Sequence, residues 1–434
     1  FMNTTSLVLQ NAFILIYNTA HLWAPVVLVI VAFRLWLWYV REAFFQTLTW
    51  TVLEFKVPQE IHKSPMAMEM FLTNALYQGG GLGNWMKQYW AGEQPIWSSL
   101  EIVSIEGHIH FFARIPTKFK EMVESQMYAQ YPQVEIFEVA DYAKAVPDYT
   151  PDGTIDVFGG TLAFDPKADG KKDSWPIKTY IDYGLDKAVG SLEEEQKIDP
   201  IIPMIEWMGS LGKGEQAWFQ VIIKPAELKR YEIEVTDKKD PTKKIKEMAK
   251  WTKLAEEEIK AFRAKFVDKD GKALTMSEQD KRILASLERN GTKLGFDTGI
   301  VYIYIAKKEN LNKNQSGNFG NVIRQYNSLE LNNFKAVGMT GGKDFVWEDL
   351  EGKVPQKGKK NLLRLAKSRD YFYPHFDFKE FKHYVTAIPA KLTPMILTTE
   401  EIATIYHLPG RVSETPTFKR IESKKAEAPG NLPF

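Results

Sequence analysis

The chain has no cysteine among its 434 residues. That excludes disulfides, thiolate zinc sites, iron–sulfur clusters and cysteine nucleophiles, and it suits a reducing compartment. An excess of one charge is also missing. Lys and Arg number 56 against 55 Asp and Glu, so no global field draws the protein to nucleic acid. No P-loop pattern and no G-x-S-x-G elbow occurs. The glycine-rich "GGGLGNW" at Gly79–Trp85 lacks the preceding strand and later acidic residue of a dinucleotide fold. His108 and His110 would share a strand face, but no third ligand is spaced to join them. The turn flanked by Asp165 and Asp169 lacks the ligand spacing of a calcium loop. No catalytic residue, cofactor site or metal site stands out, and a non-enzymatic protein is expected.

One absence is local. From Met2 to Phe33 there is no Asp, Glu, Lys or Arg. About 20 apolar residues cross a ~30 Å hydrocarbon layer, and both Phe13–Phe33 and Leu22–Val40 meet that length. The second choice places Arg34 inside the span, where it must snorkel. Trp36, Trp38 and Tyr39 form an interfacial belt, so the membrane exit is expected between Arg34 and Arg41. These five residues are the expected membrane anchor. Met2–Tyr17 either extends the span or lies in the interface. Arg34, Arg41 and Lys56 all follow the span, which predicts a single pass with the large C-terminal part in the cytoplasm.

Residues 1–47 are thus a membrane segment. In 48–150, "TWTVLEFKVP" alternates as a strand, and "SPMAMEMFLTNALYQ" starts a helix at Ser64-Pro65. "WSSLEIVSIEGHIHFFARIP" is a hairpin turning at Glu106-Gly107. "TKFKEMVESQMYAQYP" is a helix capped by Thr117, with Phe119, Met122, Val123, Met127 and Tyr128 on one face, and "VEIFEVADY" is a last strand. The order β-α-β-β-α-β predicts an α+β fold of ferredoxin-like (split βαβ) type.

The order recurs in 151–345. "WPIKTYIDYG" and "EQAWFQVIIKP" read as strands around the helix "DPIIPMIEWMGSL". "FDTGIVYIYIAKKE", "SGNFGNVIRQYNSL" and "NNFKAVG" complete the set. Between them, about 228–293, lies a Lys- and Glu-rich helical insertion, with Ile245, Met248, Trp251 and Leu254 at helical spacing and a new helix start at Thr275 or Ser277. Both halves carry "GEQ" before their second strand, at Gly92 and Gly214, as a repeated building block would. Residues 346–434 hold a basic then aromatic segment, a short helix with Thr398 and Glu401 in capping-box spacing, and a polar tail after Gly410. Lys357, Lys359, Lys360, Arg364, Lys367 and Arg369, beside the aromatics around Tyr371–Tyr384, are the candidate nucleic-acid contact.

"KSPMAMEMFLTNALYQ", the segment "WSSLEI…EVADY", "GEQAWFQVIIKP" and "LTTEEIATIYHLPG" together resemble a membrane-protein family of candidate-phylum (Patescibacteria-type) bacteria. In many relatives these segments form the non-ATPase N-terminal half of a type IV secretion or conjugation-type ATPase of the FtsK/HerA class. The resemblance runs roughly from Leu22 to Pro433. Without a phosphate-binding loop the ATPase activity does not carry over. What the resemblance implies is the setting: the inner membrane, its cytoplasmic face and coupling to a translocation machine, whose motor is either a separate ATPase subunit or part of a longer chain. A homo-oligomer is expected because such a motor acts around an axis. The expected role is a membrane-anchored assembly subunit in contact with membrane lipid; the alternative is a DNA-handling subunit using the basic and aromatic C-terminal region.

Overall fold

A computed structural model describes residues 14, 18–57, 63–78, 84–165, 173–186, 199–227, 229, 231–236, 244–267, 274–341, 353–373 and 394–410. Most of Met2–Tyr17, most of the glycine-rich loop, the calcium-like turn after Asp165, the aromatics beyond Tyr373 and the tail after Gly410 lie outside the described residues. The chain forms two compact units, one within Phe1–Thr49 and Leu82–Pro95, the other within Trp50–Gly81 and Ile96–Phe434. The fold is α+β.

The larger unit is built on a nine-stranded antiparallel sheet. Its first half holds β1 (Trp50–Lys56), β2 (Ser98–Ile105), β3 (His108–Pro116) and β4 (Glu135–Val139), ordered β2-β3-β1-β4. A helix of that half, α2 (Met66–Phe71), continues as a π-helical turn over Leu72–Leu76. Ser64 Oγ accepts from the Met66 N–H near its start. The other, α4 (Lys120–Gln130), starts after a 3-10 turn at Thr117–Phe119, so Thr117 is not its cap. It buries Val123 and Met127, while Tyr128 remains exposed. Glu106 and Gly107 both have positive φ, 54° and 84°. Two such residues form the tight turn whose twist matches the hairpin.

The second half holds β5 (Ile155–Phe164), β6 (Glu215–Pro225), β9 (Gly295–Lys307) and β10 (Phe334–Gly338), ordered β10-β5-β9-β6. Its helices are α5 (Ile202–Gly209) and α8 (Lys313–Ile323). β6 pairs with β2 from Ser98↔Ile223 to Ile105↔Gln216, so the two halves share one sheet. Alternation along each strand then sorts side chains between two faces. Leu100, Ile102, Phe219, Val221, Tyr302 and Tyr304 join one core with residues of α2, α4, α5 and α8. Ser99, Glu101, Trp218 and Gln220 point the other way and are also buried. On that face α9 (Lys353–Ser368) packs against β5 and β9, and Tyr142 lies edge-on to Trp218, 4.9 Å between rings. A sheet covered on both faces explains the nearly unbroken burial of β6 and β9.

Three features of the second half differ from its sequence-based outline. "WPIKTYIDYG" is a run of turns and irregular backbone, and the first strand of the second half is β5. The apolar rhythm of the former reflects burial of Ile177 and Tyr180, but its N–H groups go elsewhere: Ile177 N donates to Glu401 Oε1 (3.0 Å), Lys178 N to Tyr326 O (3.2 Å) and Tyr180 N to Thr404 Oγ1 (2.9 Å). β5 is disguised by Gly159-Gly160. A Cβ on Gly159 would lie 2.2 Å from the Tyr302 carbonyl oxygen, and one on Gly160 2.1 Å from that of Val337. A glycine pair reads as a break, yet here it admits close neighbours. Third, the insertion is not helical throughout. β7 (Tyr231–Thr236) and β8 (Lys244–Ala249) form a hairpin before α6 (Trp251–Ala264) and α7 (Glu278–Gly291). The helical spacing holds only from Trp251. Ser277 caps α7 in a reciprocal capping box with Asp280.

In the smaller unit, α1 (Ala20–Gln46) is a single helix of 27 residues containing Pro25. It is long and apolar enough to cross a membrane. Its side chains from Leu22 to Leu35 are mainly exposed, Val29 by 69%, while Val40 is buried. The same unit contains α3 (Trp85–Tyr89), capped by Asn84 Oδ1 accepting from the Lys87 N–H at 3.1 Å.

Candidate functional site

Among the described residues, one dense polar network is buried on the sheet face under α9. Arg369 follows the last turn of that helix with φ 55° and no exposed surface. Glycine usually ends a helix in this left-handed conformation; here a packed side chain holds it. Arg369 Nε donates to Glu101 Oε1 (3.0 Å) and Nη2 to Glu101 Oε2 (3.1 Å). Nη1 donates to Asp141 Oδ2 (2.8 Å) and the Lys367 carbonyl (2.7 Å), and Nη2 to Asp141 Oδ1 (2.9 Å). A guanidinium has five N–H donors, and all are engaged. Glu101 also accepts from Tyr142 Oη (2.6 Å) and Ser99 Oγ (2.5 Å). Burial pushes the Asp141 carboxyl up, but Arg369 outweighs it and holds the group below its usual range. Burial, reinforced by the like charge of Arg369, pushes Arg114 down to about 10. The Arg114 guanidinium stacks 4.0 Å from the Trp50 ring.

A second network joins distant segments around α10 (Thr399–Ile405), which continues from β11 (Met395–Thr398) beside β9. Glu400 accepts from Thr179 Oγ1 (2.7 Å) and Arg289 Nε (3.0 Å), and Lys293 bridges to Glu69 (2.5 Å). The expected capping box is present: Thr398 N donates to Glu401 Oε2 at 2.8 Å. Thr398 Oγ1 lies 2.9 Å from Glu401 Oε2 and 2.7 Å from Asn290 Oδ1. Asn290 Nδ2 donates to the Ser174 carbonyl (3.0 Å), which turns its Oδ1 towards Thr398. One hydroxyl proton cannot serve both acceptors, so a protonated Glu401 completes the chain. Burial agrees: it pushes the Glu401 carboxyl up to about 8 despite hydrogen bonds from Thr398 and Ile177. His407 Nδ1 faces the Ala403 carbonyl (2.9 Å) and Nε2 faces Asp199 (3.1 Å). Both ring nitrogens meet acceptors, as in an imidazolium. Burial lowers the His407 pKa, but Asp199 outweighs burial and leaves it raised.

Both networks are internally paired at their carboxylates, while Gln220 Oε1, Arg114 Nη1 and Ser174 Oγ are buried without a hydrogen-bond partner among the described residues. The cleft lined by residues including Leu76, Ile96, Trp97, Phe119 and Ile223 has room for about one water molecule. No group of three metal-ligating side chains occurs among the described residues. His110 Nδ1 meets Glu54 Oε1 at 2.7 Å, a pairing that lowers the Glu54 pKa.

The structure disperses the sequence-derived basic candidates. Arg369 is the buried clamp, Lys359 pairs with Asp156 (2.6 Å) and Lys367 with Asp148 (2.7 Å). Lys357, Lys360 and Arg364 are exposed on α9. Of the aromatics beside them, the three described pack against the larger unit: the Phe372 and Tyr373 rings lie 4.5 and 4.8 Å from Lys224 Nζ, and Tyr371 is buried against Gly299. Of the anchor residues, Arg34, Trp36 and Tyr39 are exposed, and Trp38 and Arg41 are half-buried, all on α1. What sequence reasoning missed is Glu101, Asp141 and Tyr142, whose only signal was an acidic residue inside an apolar strand. No family model and no curated protein matches the chain.

Two consequences are measurable in detergent-solubilised full-length protein. Arg369→Met strands Glu101 and Asp141, and should cost about 3–5 kcal/mol in denaturant unfolding, because breaking one side of a buried pair leaves uncompensated charge. Arg369→Lys should recover only part of this; a loss under 1 kcal/mol for Arg369→Met would refute the clamp. The second is pH dependence. Glu401 and His407 bind protons in the folded state that the unfolded chain releases nearer their ordinary values of 4.5 and 6.5. Their stabilisation is full below those values and lost as pH rises through the folded ones. Unfolding midpoints should therefore fall with rising pH, and Glu401→Gln should flatten the fall between pH 4.5 and about 8. An unchanged slope would show Glu401 ionised in the fold.

Proposed function

We propose that this protein is a membrane-anchored, non-catalytic assembly subunit, with the larger unit in the cytoplasm and α1 as a single-pass anchor in the inner membrane. The observation that carries the reading is α1: a 27-residue helix whose apolar side chains are exposed along the span. Exposed Leu, Val and Ile over this length are unfavourable in water and favourable in hydrocarbon. The exit lies between Arg34 and Arg41, where cationic side chains can reach the headgroups.

The two halves of the larger unit are read as tandem ferredoxin-like domains. In support, each orders its strands 4-1-3-2 by their order within the half, with a helix in each β-α-β crossover. Merging them through β2 and β6 leaves β4 and β10 as the sheet's outer strands, where neighbouring subunits can dock. The family resemblance supplies the setting, a type IV secretion- or translocation-like machine with a separate ATPase, and a homo-oligomeric platform follows from a motor acting around an axis. Buried carboxylates engaged by Arg369, Arg289 and Lys293 favour a scaffold over chemistry.

Nanodisc-reconstituted protein should give the mass and symmetry of a closed ring by native mass spectrometry and class averages; a monomer at all concentrations would defeat the platform. Orientation is tested separately. Glu278→Cys, on exposed α7, should react with a membrane-impermeant maleimide only after cells are opened. Labelling of intact spheroplasts would place the larger unit outside.

A further inference from the structure

We propose that α3 is a second, interfacial membrane contact, seating Trp85, Met86 and Trp90 at the boundary between lipid headgroups and acyl chains. The proposal rests on the reading of α1 as a membrane span. α3 is held to α1 by specific contacts. Trp36 Nε1 donates to the Tyr89 carbonyl at 3.1 Å, Trp36 and Trp90 have ring centres 5.2 Å apart, and Phe33 stacks on Tyr89 at 6.2 Å. Behind α3, Gly92 has φ 68°, and a Cβ there would lie 2.3 Å from the Val40 carbonyl oxygen. Only glycine lets the returning chain lie so close to the helix.

Despite this packing, the outer side of α3 is apolar and open: Trp85 is 69% exposed, Met86 55% and Trp90 70%. Two largely bare indoles and a thioether within six residues would be a costly patch in water. Tryptophan prefers the membrane interface, where the ring meets acyl chains and the N–H meets water. The location agrees. α3 touches α1 at Phe33 and Trp36, where the uncharged run gives way to Arg34 and Arg41. A span of about 20 residues that ends at Phe33, the last residue of the charge-free run, puts α3 at its boundary rather than at its middle. The patch is continuous with the exposed apolar surface of α1, which selects lipid as the occupant. Lys87, also exposed, can extend to the headgroups.

The absence of cysteine makes single-site spin labelling direct. Full-length protein carrying Met86→Cys, Leu28→Cys or Glu278→Cys is labelled with a nitroxide and reconstituted in phosphatidylcholine–phosphatidylglycerol vesicles. Collision with oxygen is then compared with collision with a water-soluble nickel chelate. Position 28 should favour oxygen strongly, position 278 should favour nickel, and position 86 should favour oxygen to an intermediate degree. If 86 matches 278 while 28 is in hydrocarbon, the interfacial contact is wrong and the span stands. A label at 86 that is immobile and shielded from both reagents would mean that protein covers the face, and would also overturn the proposal. Position 28 reading as aqueous would overturn the span, and this proposal with it.

Discussion

The pairing of β2 with β6 is the constraint on which the larger unit depends. Each half alone would present an edge strand with unpaired N–H and C=O groups. Joined from Ser98↔Ile223 to Ile105↔Gln216, those edges disappear and both strands become central. A central strand must then be covered on both faces. The first face is covered by helices contributed by both halves, so Phe219 of β6 and Leu100 of β2 belong to one core. On the second face the first half contributes the short turn holding Tyr142, which packs on Trp218, and the insertion contributes Trp251, which packs on Gly295. α9, from the C-terminal region, adds to this cover over β5 and β9.

Closing that face brings a charge problem. β2 places Glu101 in the middle of the sheet with no exposure, and an isolated carboxylate there would be strongly unfavourable. Arg369 answers it from 268 residues away in the chain. Such a pair adds little net stability over a well-packed apolar alternative, and its value is positional. A guanidinium whose donors are all matched fits one placement of α9, whereas leucines alone would tolerate sliding. Gln220 adds to this register by donating through Nε2 to the Ala366 carbonyl (2.9 Å). The left-handed φ of Arg369 is maintained by the same contacts, a local cost that the surrounding structure offsets.

Much of this was legible from residue order, where the signal is local. The charge-free run marks α1, the alternation marks β1–β3, and Thr398 with Glu401 marks the start of α10. The failures have one origin: tertiary contacts overriding local pattern. Gly159 and Gly160 look like punctuation because the neighbours that exclude a side chain there come from β9 and β10. Ile177 and Tyr180 look like a strand because burial alone imposes an apolar rhythm, whatever the backbone does. Arg369 looked available for phosphate because a cluster of Lys and Arg on one helix is read as a solvated face. Nothing local reveals that its partners sit on β2 and beside Tyr142. The open aromatic side of α3 was equally hidden, since Trp85 and Trp90 would be core residues in most soluble contexts.

The two "GEQ" stretches hold comparable places in the two halves and are used differently. Both glycines keep positive φ, 68° at Gly92 and 80° at Gly214, and both precede the second strand of their half. Their glutamates differ. Glu215 is buried and accepts from the Gly212 N–H (2.6 Å) and from the Tyr304 hydroxyl, stitching the turn to β9. Glu93 has no such role and faces Lys87 at 4.0 Å. The elaborations also fall at different connections. In the first half the hairpin closes in two residues and the helix-to-strand loop expands into α3. In the second that loop is short, and the hairpin opens to admit β7, β8, α6 and α7. A strand order that survives either insertion is fixed by the sheet pairing, and connecting loops are then free to take on other work.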